Sequence, residues 1–296
     1  MSRDPQKTTL SRRERFLRAV IVIAIFLAIA LVEAWSPLRA PFKWAHALTK
    51  SSISRESLWA IFYSVEQILI VCLCMVSVMW LFGGGVVQSL ENLGLRRGVA
   101  RGMLVGSIVT LPMPIILAIS GHAEFGASIA VQVGVFGLIS GIAEEVRFRG
   151  FAFGLLYRKL RLGFWPSIIL PTLFFGLGHL YEVHGISDSL AIIALTGFGS
   201  IWFGWLYVRW EYNLWIPIAV HALMNSWWTI FSASETALGG LEANIARLLT
   251  ILLSIVLTLW HCGWDWHKAF LHIRPPEPPR SVLPGTFQQI TAPACQ

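Results

Sequence analysis

Apolar residues run through this chain in long blocks separated by short polar stretches. Eight such blocks fall near 16–35, 57–82, 102–120, 127–159, 164–182, 189–208, 213–231 and 246–264. Crossing a hydrocarbon core takes roughly 17–25 residues of helix, and each block is of that order or longer. Barrel-like alternation over segments of about ten residues is not found. A backbone in lipid must satisfy its own hydrogen bonds, so the blocks are read as helices. The pattern predicts an all-α membrane protein of about eight transmembrane helices.

The fourth block has two readings. It is apolar only as far as Ala143, and the run Gly141-Ile142-Ala143-Glu144-Glu145-Val146-Arg147-Phe148-Arg149-Gly150 crosses that point. Either the helix stops there and the charges sit at the surface, or it continues through Tyr157 to Arg158. Depth arithmetic decides between them. At 1.5 Å per residue, a continuous helix sets Glu144 ~22 Å above Lys159. A fifth helix rising from Phe164 sets His179 at ~22 Å, and a seventh rising from Asn213 sets His221 at ~12 Å and Asn225 at ~18 Å. The long helix brings these polar groups within about two turns of one another in depth. The short one strands them, and a charge at the bilayer centre costs roughly 2.5–3.5 kcal/mol. The long helix is expected.

Spacing then separates the roles of these residues. Glu145 and Arg149 stand at i,i+4 with the acid first, the favourable order for an ion pair. Glu144 is turned about 100° away and stays free for chemistry. Arg147 is expected to snorkel to the interface. Phe175 with His179, and His221 with Asn225, share helix faces at i,i+4. One intramembrane His as readily serves packing through an interhelical hydrogen bond. Glu, His, His and Asn at one depth point instead to a polar reaction centre.

Charge sets the orientation. Eighteen of the 23 Lys and Arg fall on the side of the N-terminal tail, which itself carries Arg3, Lys7, Arg12, Arg13, Arg15 and Arg18. The other side has Arg39, Lys43, Lys50, Arg55 and Arg247. Setting Arg147 and Arg149 aside does not change the sense, and both termini are expected in the cytoplasm. The same placement explains the net charge of +7 without a nucleic-acid partner. Only 13% of residues are charged, against roughly 25% in soluble domains, so most of the chain faces lipid or other helices. The 14 Trp fit interfacial belts.

Smaller features fill in the organisation. Cys72, Cys74, Cys262 and Cys295 have no metal-type spacing, and neither a disulfide nor a zinc site is expected from them. Residues 1–35 have an alternative reading as a cleaved signal peptide ending at Val32-Glu33-Ala34, although the apolar run is long for one. The Pro-rich stretch from Arg274 reads as a disordered tail, and its end is no prenylation box, which needs Cys fourth from the end. The expected organisation is a cytoplasmic tail at 1–15, two N-terminal helices within 16–85, a core at 90–231, a last helix at 246–266 and the tail at 274–296. No internal repeat is visible.

Glu144-Glu145-x-x-x-Arg149, Phe175-x-x-x-His179 and His221-x-x-x-Asn225, in this order, resemble the motifs of the CPBP family. That family holds the type II CAAX prenyl endopeptidases and the bacteriocin-processing or self-immunity (Abi) proteins. Leu93-Gly94-Leu95-Arg96-Arg97 resembles its usual lead-in, and the likeness covers roughly residues 90–230. The resemblance implies a glutamate-dependent intramembrane endopeptidase with a polar cavity open to the cytoplasmic side or the lipid. It implies that Glu144 and His179 activate a water, that His221 and Asn225 stabilise the oxyanion, and that Glu145, Arg149 and Phe175 support them. It implies no cofactor. Zinc held by Glu144, His179 and His221 is the alternative, but no His-Glu-x-x-His motif is present.

The remaining polar residues take plainer readings. Glu66 beside Gln67 in the second block is given no role. His261-Cys262-Gly263-Trp264-Asp265-Trp266-His267 reads as an interfacial anchor. His122, Glu124, Glu182, His184 and Asp188 read as solvated loop polarity, and Gly83-Gly84-Gly85 as a turn. The expected partners are the bilayer and a peptide or protein substrate, lipid-modified or not, in a bacterial cytoplasmic membrane. A non-catalytic immunity or scaffold protein with the same fold is the alternative function. A transporter is a third reading, weakened by the lack of an inverted repeat.

Overall fold

The computed structural model describes residues 10–35, 55–96 and 98–271. The expected Pro-rich tail at 274–296 and the first nine residues of the N-terminal tail lie outside these residues, as do Arg39, Lys43, Lys50 and Arg97. The described chain is helical and contains no strand. In order it forms α1 (Arg12–Trp35), α2 (Arg55–Phe82), α3 (Val86–Leu93), α4 (Val99–Val109) and α5 (Pro112–Ser120). Next come α6 (Ala127–Lys159), α7 (Phe164–Gly178), α8 (Ile186–Arg209), α9 (Trp215–Ile230) and α10 (Leu241–His261).

Among the described residues, seven helical runs are long and apolar enough to cross a membrane. The chain is an integral membrane protein. α4 and α5 form one of those runs, broken at Thr110 and Leu111 just before Pro112, whose ring cannot continue the helical hydrogen bonds. The block expected at 213–231 gives α9, a helix of 16 residues, only ~24 Å long. It lies inside the bundle, with Ile216–Ala222 buried.

α6 is the long fourth helix. Its 33 residues run without a break from Ala127 to Lys159. Much of it has wide π-helical turns, at Val133–Ile139, Val146–Phe153 and Leu155–Lys159, around an α-helical Ser140–Glu145. Such i→i+5 turns are uncommon and gather at functional sites.

Small residues let α9 approach its two neighbours. It packs between α4 and α6. A Cβ at Gly106 would stand 2.5 Å from the Ala219 Cβ, and one at Gly137 would stand 2.5 Å from the Ser226 Oγ. Gly141 faces the Ala222 Cα at 3.1 Å in the same sense. Close backbone approach of this kind drives helix association where lipid supplies no hydrophobic force.

The bundle has two distinct poles. At one, the α3–α4 and α8–α9 connections meet the ends of α6 and α10. The Leu214 N–H donates to the Gly94 oxygen at 3.0 Å, and Asn213 Nδ2 donates to the Gly98 oxygen at 3.1 Å. Arg101 reaches His261 at 3.1 Å and Glu211 at 3.7 Å, while His261 stacks on Trp210. At the other pole, the segments after α5, α7 and α9 meet. Glu124 N–H donates to the Ile230 oxygen at 2.8 Å, and the Ala237 N–H donates to Glu182 Oε2 at 2.6 Å.

Three expectations are corrected. Arg147 does not snorkel: it is 4% exposed and pairs with Glu33 of α1. α1 also seats Phe26 edge-on against Phe148 and Phe174, so it is bound into the bundle by both charge and packing. Glu182 is not free loop polarity, because its carboxylate holds His179 and accepts from the Ala237 N–H. Cys262 is disulfide-bonded, whereas no disulfide was expected. Cys72 and Cys74 are free.

Candidate active site

Glu144 sits near the middle of α6, where its side chain is 19% exposed. Its Oε1 accepts a hydrogen bond from the Ser140 hydroxyl at 2.6 Å, one helical turn earlier. The Ser140 oxygen accepts in turn from the Tyr63 hydroxyl of α2 at 3.1 Å. The other oxygen, Oε2, stands 3.8 Å from His221 Nε2, beyond direct hydrogen bonding and within reach of a bridging water.

The neighbouring Glu145 points the other way and is fully buried. Its Oε1 accepts from Arg149 at 2.9 Å and from His221 Nδ1 at 2.7 Å. This fixes the imidazole: Nδ1 carries the proton toward the carboxylate, and Nε2 faces Glu144. Arg149 is fully buried as well. Its guanidinium lies over the rings of Phe175 at 4.5 Å and Phe203 at 5.1 Å, where ring quadrupoles add to the attraction of the carboxylate. The i,i+4 pair expected from spacing is therefore present, and it also orients His221.

His179 is the first residue beyond α7 and caps its C-terminal end. Its ring is 5.1 Å from that of Phe175, edge to face. Nδ1 bonds the Glu182 carboxylate three residues on, which leaves Nε2 as the free ring nitrogen. His221, stacked on Phe203 at 5.2 Å, and Asn225 both project from α9. The Asn225 amide donates to the Phe136 oxygen at 3.3 Å.

All four polar residues line one cavity of about 410 Å³. Its other walls are largely apolar, among them Phe136, Leu195, Phe198, Trp202 and Met224. The depth match expected from sequence thus corresponds to real proximity. Tyr63, Ser140 and Phe203 also line the cavity and were not singled out in the sequence, and so does Glu182, which was read as loop polarity. For Glu182 a signal existed, namely its i+3 spacing from His179. Tyr63 and Phe203 lie on other helices and carry no local motif. Glu66 is buried in α2 but does not line the cavity.

No group of three or more His, Cys, Asp or Glu side chains is placed to hold a metal ion among the described residues. The Nδ1 atoms of both histidines are engaged by carboxylates, which orients their Nε2 atoms toward the cavity. The groups present suit proton transfer and hydrogen bonding, with two histidines each held by an acid.

The family described as type II CAAX prenyl endopeptidase Rce1-like matches residues 126–227. A Bacillus subtilis (strain 168) protein named "Putative membrane peptidase YdiL" is 29% identical over 99 residues. That match covers 33% of this chain and 36% of the relative. No solved structure matches the chain. Glu144, Glu145, Arg149, Phe175, His179, His221 and Asn225 all fall within the matched residues, whereas Tyr63 and Glu33 lie outside them. Over residues 126–227 the chain is therefore similar to the type II CAAX prenyl endopeptidase Rce1-like family, and over about a third of its length to a relative named as a membrane peptidase.

Proposed function

We propose that this protein is a glutamate-dependent intramembrane endopeptidase acting on a membrane-associated peptide. The observation that carries the reading is the convergence of Glu144, His179, His221 and Asn225, from three separate parts of the chain, on one apolar-walled cavity. Peptide hydrolysis needs an activated water and charge stabilisation at the carbonyl oxygen, and these groups supply both.

In this mechanism the Glu144 carboxylate takes a proton from a water as its oxygen bonds to the scissile carbonyl carbon. His179, held through Nδ1 by Glu182, presents Nε2 to the same water and steadies it. The carbonyl oxygen becomes an oxyanion. The second amide hydrogen of Asn225 donates to it, and His221, held through Nδ1 by Glu145, turns Nε2 toward the same site. Glu144 then passes its proton to the amide nitrogen, the C–N bond breaks and the amine leaves. Ser140, supported by Tyr63, keeps Glu144 Oε1 occupied so that Oε2 faces the reaction. No step requires a metal.

We further propose a bacterial cytoplasmic membrane as its location, with both termini inside, an orientation that the distribution of Lys and Arg supports. The substrate classes open to an endopeptidase of this kind are a prenylated C-terminus, a leader peptide and a small membrane protein. Cleavage by reconstituted protein across a panel of prenylated and unprenylated peptides tests the reading. Cleavage is expected from the native protein and not from Glu144→Ala, with insertion intact in both. A cellular role that persists in Glu144→Ala, with no peptide cut, would favour an immunity or scaffold role instead.

A further inference from the structure

The two poles of the bundle differ in charge, and the cavity belongs to only one of them. Its floor is Glu144, His221 and Phe203. From there its lining continues to Tyr181 and Glu182 after α7 and to Ser234–Ala237 after α9. No residue of the α3–α4 connection, the α6–α7 turn or the α8–α9 connection lines it. Those segments close the opposite pole, where Glu91, Arg96, Arg101, Arg158 and Glu211 surround a separate pocket.

Cations follow the same division. Arg12, Arg13, Arg15 and Arg18 begin α1, while Arg158, Lys159, Arg161 and Arg209 end α6 and α8 or follow them, all at the pole away from the cavity. On the cavity side, Arg247 of α10 lines the wall. The rule that places Lys and Arg in cytoplasmic loops therefore assigns the cavity mouth to the other face of the membrane.

We propose that this chain takes its substrate from the non-cytoplasmic side, cutting an apolar peptide segment in the outer half of the bilayer or just beyond it. The inference rests on the endopeptidase reading for the word cutting and on the two poles for the side. It departs from the cytoplasmic opening implied by the family resemblance. The apolar wall, which includes Phe198, Trp202 and Ile251, suits the membrane-flanking part of a translocated polypeptide. A modified C-terminus held at the cytoplasmic surface would meet the arginine-rich pole, where Glu144 is out of reach.

Two measurements on membrane vesicles of known sidedness test this. Glu235→Cys places a thiol at the exposed cavity mouth, and Leu162→Cys places one in the exposed turn after α6. In right-side-out vesicles a membrane-impermeant maleimide should label Glu235→Cys above the native background. Leu162→Cys should stay unlabelled until the vesicles are permeabilised. The reverse pattern would overturn the proposal whatever the activity. In the second measurement, an apolar peptide substrate added outside should be cut by right-side-out vesicles and spared by sealed inside-out ones, with Glu144→Gln inactive in both. Cleavage confined to inside-out vesicles would sink the proposed side and leave the endopeptidase standing. Lack of cleavage in either would count against the endopeptidase, while the labelling still decides the side.

Discussion

Glu144 and Glu145 are adjacent carboxylates with opposite surroundings. Glu145 is enclosed by Arg149 and His221, whereas Glu144 meets a hydroxyl and the cavity. The division predicts different consequences of losing each. Glu144→Gln keeps size and hydrogen bonding but removes the base, so turnover should fall by about 10²–10⁴-fold, with thermal unfolding in detergent unchanged. Glu145→Leu leaves the Arg149 guanidinium buried without its carboxylate, which typically costs about 3–5 kcal/mol. The same unfolding measurement should show that loss. Adding Arg149→Met should recover most of the stability by removing the orphaned charge. It should not recover turnover, because His221 Nδ1 still lacks its acceptor. Recovery of both would mean that Glu145 serves only the ion pair.

At the scale of helices, the site depends on how closely α9 sits against α6. His221 and Asn225 share α9 with Ala222 and Ser226, which touch Gly141 and Gly137. A bulky side chain at Gly137 exceeds what rotation of the Ser226 hydroxyl can absorb and pushes α9 away from Glu144. Gly137→Leu is therefore expected to lower both stability and turnover, with an overpacking cost of about 1–3 kcal/mol. Gly134 is in the same helix, yet a Cβ there would meet nothing within 4 Å. Gly134→Ala should be neutral or stabilising, by up to about 1 kcal/mol. Comparing melting curves and turnover for the two variants separates helix approach from a general intolerance of α6 to substitution.

For the whole molecule, the question is what holds α1 against a core whose chemistry lies elsewhere. α1 buries Val22, Phe26 and Ile29 and supplies Glu33 to Arg147. That ion pair answers for a cation one turn from the proposed base, since it draws Arg147 toward α1. Glu33→Ala should leave Arg147 unpaired, loosen α1 and raise hydrogen exchange along both α1 and the middle of α6. Turnover should also fall, because an uncompensated guanidinium would then turn toward Glu144 and oppose its use as a base. Unchanged exchange in α1 would show that the aromatic contacts alone hold the helix.

The sequence by itself determined the helical class, the positions of the crossing helices, the length of α6 and the Glu145–Arg149 pair. Each follows from local rules, namely apolar block length, rise per residue and i,i+4 spacing. Depth arithmetic also anticipated that Glu144, His179, His221 and Asn225 would meet, because helices of known direction fix height without fixing rotation. Rotation and neighbour choice were decided only in the tertiary structure. Arg147 finds Glu33 at a sequence separation of 114, and Tyr63 finds Ser140 at 77. Nothing in either local stretch names the partner. The same holds for α9, whose block reads as a crossing helix but folds as a shorter, enclosed one between α4 and α6. Glycines on its neighbours admit it there, and that contact exists only once the three helices are packed.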